Sequence, residues 1–173
     1  MPMKKVKEES ETHDYKDAIE LMFFSYRDFI SDPDAILHKH GFGRAHHRVL
    51  HFVGCNPGLS IANLLDILRV TKQSLARVLR ELIDEGYINQ EIGILDRRKR
   101  LLFLTPKGHK LHDNLIAPQI GRFDRVMEEV DTATFDSWKK VMRLMINPAD
   151  RENVDNLIAT SRNAKNVVPG KEG

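Results

Sequence analysis

Apolar residues recur near the start of the chain with the period of an α-helix. They are separated by steps of four, three, four and three residues: Tyr15, Ile19, Met22, Tyr26 and Phe29. Asp32-Pro33 is expected to end this helix. Further apolar residues widen the stripe: Leu21, Phe23, Phe24 and Ile30. One neighbouring helix would not cover this apolar surface, so we expect the helix to pack deep in an interface shared with other elements. The alternative is burial within the core of a monomer.

The middle of the chain predicts a pair of short helices after a longer one. A helix over about Arg44 to Val53 ends before Pro57-Gly58. Ser60 then caps a short helix with apolar residues at helical spacing: Ile61, Leu64, Leu65 and Leu68. Thr71 caps the next helix, which runs to about Glu85 and ends at Gly86. Two short helices joined by a tight connection at Arg69-Val70 are typical of a helix-turn-helix.

A β-hairpin is predicted after this helix pair. Tyr87 to Leu95 and Arg100 to Thr105 are rich in strand-forming residues, and the polar run 96–99 separates them. The hairpin therefore has a cationic tip. Like charges repel one another there, and a phosphate backbone would relieve that repulsion.

The last third of the chain is predicted to be helical. Thr105-Pro106 starts a long helix, in which Pro118 is expected to produce a kink. A further helix begins at Asp131 or Thr132 and ends at Asn147-Pro148, with another turn or two around 154–158. The predicted fold class is mostly α with a small β-hairpin wing.

Composition narrows the function classes. The chain is 41% hydrophobic and 30% charged, which is typical of a soluble globular protein, and its 173 residues allow either one domain with long arms or two small domains. We find neither a long apolar run nor a signal peptide, so we expect a cytoplasmic protein without a membrane partner. The single cysteine, Cys55, predicts no internal disulfide, and no cofactor motif or catalytic motif is recognised. We therefore expect no cofactor and no enzymatic activity.

Positive charge is concentrated in one segment. Residues 69–110 contain ten Lys/Arg and five Asp/Glu, a local net charge of +5, whereas the whole chain has +2. Such a segment favours a polyanionic partner, with nucleic acid the commonest, and an ordinary solvated surface as the alternative.

The helix after Thr71 has two distinct faces on a helical wheel. One sector is apolar: Leu75, Val78, Leu79 and Leu82. The opposite sector carries Gln73, Arg77 and Arg80, which can donate hydrogen bonds to base edges and phosphates. The free amides at the helix start favour a phosphate near Thr71, Lys72 or Ser74. An arginine of the hairpin tip can reach into the minor groove.

These residues together resemble the MarR family of bacterial winged-helix transcription regulators. The resemblance covers about residues 13–147. It lies in Pro57-Gly58-Leu59-Ser60, in Val70 to Arg77, in Leu82 to Ile88, and in the wing pattern Asp96-x-Arg98-x-x-x-Leu102-x-Leu104-Thr105-x-x-Gly108. The implied fold is a winged helix-turn-helix with N- and C-terminal dimerisation helices.

The resemblance also implies a role for individual residues. Gln73, Ser74 and Arg77 would read bases or phosphates in the major groove, and Thr71 and Lys72 would contact the DNA backbone. Arg98 matches the arginine that enters the minor groove, and Asp96 the acidic residue that braces it. The neighbouring wing residues Arg97 and Lys99 complete the predicted DNA-binding set.

The same resemblance implies the organisation of the chain and its partners. The expected segments are a disordered tail (1–12), an N-terminal dimerisation helix with a linker (13–43), the DNA-binding region (44–108), C-terminal dimerisation helices (109–161) and a second disordered tail (162–173). A homodimer would bind double-stranded DNA at a pseudo-palindromic operator. The expected activity is repression, released by a small, often aromatic effector, with the Pro118 kink as the mobile joint.

Two other functions are compatible with the residues. A winged helix can serve as a protein-interaction module without operator binding. A metal-responsive regulator is also conceivable, because His47, His51 and Cys55 recur every four residues. Three ligands on successive turns span roughly 12 Å, however, too far to converge on one ion. A pair of them could still bind an ion with help from elsewhere, but we expect no metal site.

Overall fold

The computed structural model describes residues 9–94 and 96–166. Their secondary structure is mostly helical, with three short strands and a 3-10 helix at Pro148–Asp150. The elements in chain order are α1 (Glu9–His38), α2 (Arg44–Cys55), β1 (Leu59–Ser60), α3 (Ile61–Leu68), α4 (Lys72–Asp84), β2 (Ile88–Ile92), β3 (Arg100–Leu104), α5 (Pro106–Glu129), α6 (Thr132–Met145) and α7 (Arg151–Asn166).

The three strands form one antiparallel sheet in the order β1-β3-β2. The strands β2 and β3 pair from Ile88 opposite Leu104 to Ile92 opposite Arg100. On the other side of β3, Leu59 lies opposite Leu102. The predicted fold class, mostly α with a small β-hairpin wing, is confirmed.

A single apolar core lies where α2, α3, α4 and α5 meet this sheet. Its central side chains are almost completely buried: Leu37, Leu50, Val53, Leu64, Leu82, Ile88, Leu102 and Leu115. Each such side chain contributes about 1.5–3 kcal/mol through burial. The core therefore fixes the positions of α4 and of the hairpin relative to each other.

The first helix is longer than the sequence predicts. Asp32-Pro33 was expected to end it, yet α1 continues through Pro33 to His38. The Pro33 ring and the Leu37 side chain are both fully buried. The free energy gained by burying these two side chains offsets the cost of the helix hydrogen bond that the proline cannot make. The helix also begins at Glu9, inside the predicted tail, whereas residues 1–8 lie outside the described part.

Three other boundaries differ from the predictions. The second helix runs to Cys55 rather than to about Val53. The first strand of the hairpin ends at Ile92, and Leu95 lies outside the described residues. The last helix extends to Asn166, into the second predicted tail, whose remainder (167–173) is also outside the described part.

A cluster of aromatic rings joins α1 to α5 and α5 to α6. The Phe29 ring of α1 meets the Phe123 ring of α5 edge to face, with centroids 5.5 Å apart. Phe123 also contacts Phe135 and Trp138 of α6 at 5.8 Å each. Asp131 caps α6, and hydrogen bonding with Thr134 lowers the pKa of its carboxyl below the usual value.

Much of the apolar surface of these helices is exposed in the single chain. On α1, Leu21 is 70% exposed and Phe23 63% exposed. Other exposed apolar residues on α5 and α6 include Ile120, Val126, Trp138, Val141, Leu144 and Met145. Over residues 9–94 and 96–166, no helix combines the length and apolarity needed to span a bilayer.

Candidate nucleic-acid interface

Two side-chain caps hold the helices α3 and α4 in place. Oγ of Ser60 accepts a hydrogen bond from the backbone N–H of Asn63 at 3.1 Å, and Oγ1 of Thr71 accepts one from the backbone N–H of Ser74 at 3.1 Å. Between the helices, Arg69 has a left-handed backbone with φ of 51°. This conformation turns the chain within a short connection. The predicted helix-turn-helix is confirmed.

The cap at the start of α4 also constrains two predicted DNA contacts. The Thr71 hydroxyl donates a hydrogen bond to Oγ of Ser74 at 2.9 Å. Both hydroxyls are therefore held at the helix start, and the Ser74 hydroxyl keeps its own proton for another acceptor. The Lys72 and Gln73 side chains are exposed beside them.

The two faces of α4 are separated as the wheel predicts. Leu75, Val78, Leu79 and Leu82 are at most 4% exposed and anchor the helix to the core. The opposite side presents exposed polar and cationic side chains: Lys72, Gln73, Ser74, Arg77 and Arg80. A helix held by its apolar side leaves this polar side available to a ligand.

The wing ends in a turn that its own backbone closes. The Gly93 N–H donates to the Lys99 carbonyl, and the Lys99 N–H donates to the Asp96 carbonyl, both at 3.0 Å. The Asp96 carboxylate accepts a hydrogen bond from the backbone N–H of Arg98, also at 3.0 Å. A Cβ at position 93 would lie 2.7 Å from the Asp96 carbonyl oxygen, so the turn requires glycine there.

The tip of the wing is solvent-exposed and strongly cationic. Arg97, Arg98, Lys99 and Arg100 are all exposed. The Arg100 guanidinium donates to the Arg97 carbonyl at 3.4 Å, which keeps it near the tip backbone. The structure thus presents the cations of the wing as a group on one short turn, as the sequence predicts.

The base of the wing is fastened to the end of α4 by residues of the Leu-Thr-x-x-Gly motif. Oγ1 of Thr105 donates to the Gly86 carbonyl at 2.7 Å and accepts a hydrogen bond from the Gly108 N–H at 3.0 Å. A Cβ at Gly108 would lie 2.0 Å from the Tyr87 carbonyl oxygen. Lys107 donates to the Glu85 carbonyl at 2.7 Å. These contacts fix the wing relative to α4.

One acidic side chain of α4 contacts a residue of another helix. The Glu81 carboxylate lies 2.7 Å from Nε2 of His46 on α2. Residues 69–110, which include α4 and the wing, carry a net charge of +5, and a surface of this charge attracts an anionic ligand.

Two features near this region have no local signal in the sequence. The strand β1 is only two residues long, too short for its alternation to be visible, and it forms through pairing with β3. His112 was also missed as a partner of His51 and Cys55, because it comes from α5 and only the fold brings the helices together.

Sequence comparison gives a family match and a curated relative. Residues 40–99 match the MarR family profile. The HTH-type transcriptional regulator PetP of Rhodobacter capsulatus is 44% identical over 135 residues, which cover 78% of this chain and 81% of PetP.

Structural comparison gives relatives with the same fold. The Streptococcus pneumoniae FabT crystal structure in complex with DNA has a TM-score of 0.65 at 18% identity, covering 74% of this chain and 92% of FabT. The Staphylococcus aureus MarR structure with salicylate and kanamycin has a TM-score of 0.62 at 19% identity, covering 79% and 91%.

Proposed function

The chain belongs to the MarR family of transcriptional regulators, which are not enzymes. We propose that it is a cytoplasmic homodimer that binds a pseudo-palindromic operator and represses transcription. The observation that carries this proposal is the pairing of two exposed cationic elements, the polar side of α4 and the tip of the wing, on one rigid core. Double-stranded DNA offers a wide groove for the helix and a narrow one for the hairpin.

In this proposal α4 reads the major groove. Gln73, Ser74 and Arg77 donate hydrogen bonds to base edges or phosphates. Thr71 and Lys72 contact the DNA backbone, where the free amides of the helix start also favour a phosphate. The burial of the apolar side of α4 supports this assignment, because it leaves only the polar side accessible.

In this proposal the wing binds the minor groove. Arg98 enters the groove, and Arg97 and Lys99 contact the flanking phosphates. Asp96 braces Arg98 through the hydrogen bond from the Arg98 backbone N–H. A braced tip loses less conformational freedom on binding than a mobile one, which favours affinity.

The exposed apolar residues of α1, α5 and α6 form the proposed dimer interface. Large apolar side chains are exposed to water on two of these helices: Leu21 and Phe23 on α1, and Val141 and Met145 on α6. An exposed apolar surface of this kind is typical of an interaction site. A second copy of the chain provides a matching surface by two-fold symmetry. The N-terminal segment (13–43) and the C-terminal segment (109–161) would thus act as dimerisation arms.

Effector release completes the proposed function. A small aromatic ligand bound between the arms and the DNA-binding region (44–108) would favour a dimer whose two wings no longer match the operator. Pro118 lies inside α5, which connects the two regions, and is the proposed joint. The S. aureus MarR structure in complex with salicylate and kanamycin supports a small-molecule effector for this chain, and its salicylate is aromatic.

Sequencing of genomic fragments captured by the purified protein tests this proposal. The expected result is an inverted repeat whose half-sites are centred about one helical turn, 10–10.5 base pairs, apart. A set of fragments without a shared two-fold motif would contradict operator recognition. Capture of no duplex at all would contradict DNA binding and favour the alternative of a winged helix that docks another protein.

A further inference from the structure

A cluster of metal-binding side chains lies away from the proposed DNA interface, between α2 and α5. His51 and Cys55 are one turn apart on α2, and His112 comes from α5. Sγ of Cys55 lies 4.0 Å from Nε2 of His51 and 3.9 Å from Nε2 of His112. All three donor atoms lie within 4.8 Å of one another.

These distances are close to those that a bound ion requires. With Zn–S of about 2.3 Å and Zn–N of about 2.0–2.1 Å, a tetrahedral ion holds sulfur and nitrogen about 3.6 Å apart. The two sulfur–nitrogen pairs here exceed that value by only a few tenths of an ångström. The two imidazole nitrogens, which lie within 4.8 Å of each other, would have to approach to about 3.3 Å, so side-chain rotations that move the donors by about an ångström bring all three onto one ion.

The position of His112 depends on a glycine in α2. A Cβ at Gly54 would lie 2.7 Å from both Cδ2 and Nε2 of the His112 imidazole. Only glycine at this position lets the ring lie against α2 and reach Cys55. His112 is 7% exposed, and its other nitrogen, Nδ1, lies 3.7 Å from a carboxylate oxygen of Asp113. This separation is too long for a hydrogen bond, so the exposed Asp113 carboxylate acts on the imidazole only as a nearby negative charge.

One side of the cluster opens to a cavity of about 240 Å³. His51 and Cys55 line it from α2, Asn56 lines it just after that helix, and Leu157 and Ser161 line it from α7. Oγ of Ser161 donates to Oδ1 of Asn56 at 3.1 Å, which fastens α7 beside the site. The cavity gives an ion access to the donors and leaves room for water as a fourth ligand.

We propose that His51, Cys55 and His112 bind a divalent transition-metal ion of the zinc class, with one coordination position open to the cavity. Two imidazoles and a thiolate are the ligands that such ions prefer, whereas Mg²⁺ and Ca²⁺ select oxygen ligands. His47 is not part of the cluster, although it occupies the preceding turn of α2. His112 supplies the third ligand that the histidines and cysteine of α2 lack by themselves.

The bound ion would link two parts of the molecule with different proposed tasks. α2 belongs to the DNA-binding region, whereas α5 leads into the proposed dimerisation arm. An ion between them therefore restrains the angle between these parts. Metal binding would therefore regulate the protein in addition to the small-molecule effector proposed above.

Titration of the chelator-treated full-length protein with Co²⁺ tests the site. Cobalt occupies zinc sites and reports sulfur ligation through a near-ultraviolet charge-transfer band and tetrahedral geometry through visible d–d bands. The wild-type protein is expected to develop both sets of bands with one Co²⁺ per chain, and added Zn²⁺ should abolish them.

Three variants assign the ligands. Cys55→Ser should abolish the charge-transfer band, and His112→Gln should weaken Zn²⁺ binding by more than about a hundredfold, since even outer-shell partners change affinity by about 10–100-fold. His109→Gln, which alters an exposed histidine one turn earlier on α5, is the matched control and should bind like wild type. Circular dichroism spectra establish that each variant is folded.

The proposal is overturned by a wild-type protein without the charge-transfer band, or by a Cys55→Ser protein that binds Zn²⁺ as tightly as wild type. It is also overturned if His109→Gln weakens binding as much as His112→Gln. If His112→Gln does not fold, the nearly isosteric Cys55→Ser still decides the outcome. These readouts do not involve DNA, so their failure leaves the proposed operator binding unaffected.

Discussion

Asp96 and Arg98 are joined across the tip of the wing, where the carboxylate of Asp96 accepts a hydrogen bond from the backbone N–H of Arg98 at 3.0 Å. The bond shapes the turn without engaging the Arg98 guanidinium, which remains exposed. The relation between the two residues therefore supports a bracing role for Asp96 and a contact role for Arg98.

Arg98→Ala should weaken binding to every duplex, because it removes a minor-groove cation that contributes to affinity independently of the major-groove sequence. Asp96→Ala should weaken binding less, and should have little further effect in an Arg98→Ala background. Fluorescence anisotropy of the four proteins in a double-mutant cycle measures this coupling. Lys140→Ala removes an equal charge from α6 and should bind like wild type. Additive losses would contradict the bracing role of Asp96.

Gln73→Ala or Arg77→Ala should change base preference as well as affinity. A lost bidentate contact costs about 1–3 kcal/mol against the preferred base, so discrimination should decrease at one position of each half-site. Binding to operators with every single base substitution measures the effect. A uniform loss over all sequences would instead assign these side chains to phosphates.

The dimer prediction concerns the exposed face of α1. The wild-type chain should sediment at about twice 19.9 kDa at micromolar concentration. Leu21→Asp, which places a charge at a residue 70% exposed in the single chain, should shift the protein towards monomer because a dimer would bury that charge. Lys16→Asp on the same helix changes an exposed polar position and serves as the control. Wild-type protein that sediments as a compact monomer would contradict the proposed interface.

Alanine substitution at two glycines of α5, one beside the base of the wing and one away from it, tests how tightly the wing is attached. Gly108→Ala would place a Cβ 2.0 Å from the Tyr87 carbonyl oxygen, and overpacking of this kind costs about 1–3 kcal/mol or more. At Gly121 the nearest atom lies 3.9 Å from an added Cβ, so Gly121→Ala should leave stability unchanged or raise it by about 0.4–1 kcal/mol. Urea denaturation measures both free energies of unfolding. Equal stabilities of the two variants would contradict the close packing at Gly108.

Local sequence signals predicted the helix-turn-helix and the wing. The side chains of Ser60, Thr71 and Thr105 each accept a hydrogen bond from a residue three positions later, and a pattern of this range is visible in the sequence. The buried residues of α4 also follow directly from helical periodicity.

Features that depend on distant residues were not predictable in this way. The continuation of α1 through Pro33 depends on burial of the proline ring and of Leu37 in the core. The proposed metal site depends on His112, which is 57 residues from Cys55. Local spacing identifies His51 and Cys55 as a pair, but only the packing of α5 on α2 adds the third donor.

The most direct test of operator binding is the salt dependence of the affinity for the captured inverted repeat. For about six phosphate contacts, affinity should decrease by about a thousandfold between 50 and 200 mM salt, linearly on a double-logarithmic scale. One dimer should bind each duplex, and a scrambled duplex of equal length should bind more weakly at every salt concentration. Fluorescence anisotropy that stays unchanged when the protein meets the labelled repeat at 50 mM salt would contradict the account.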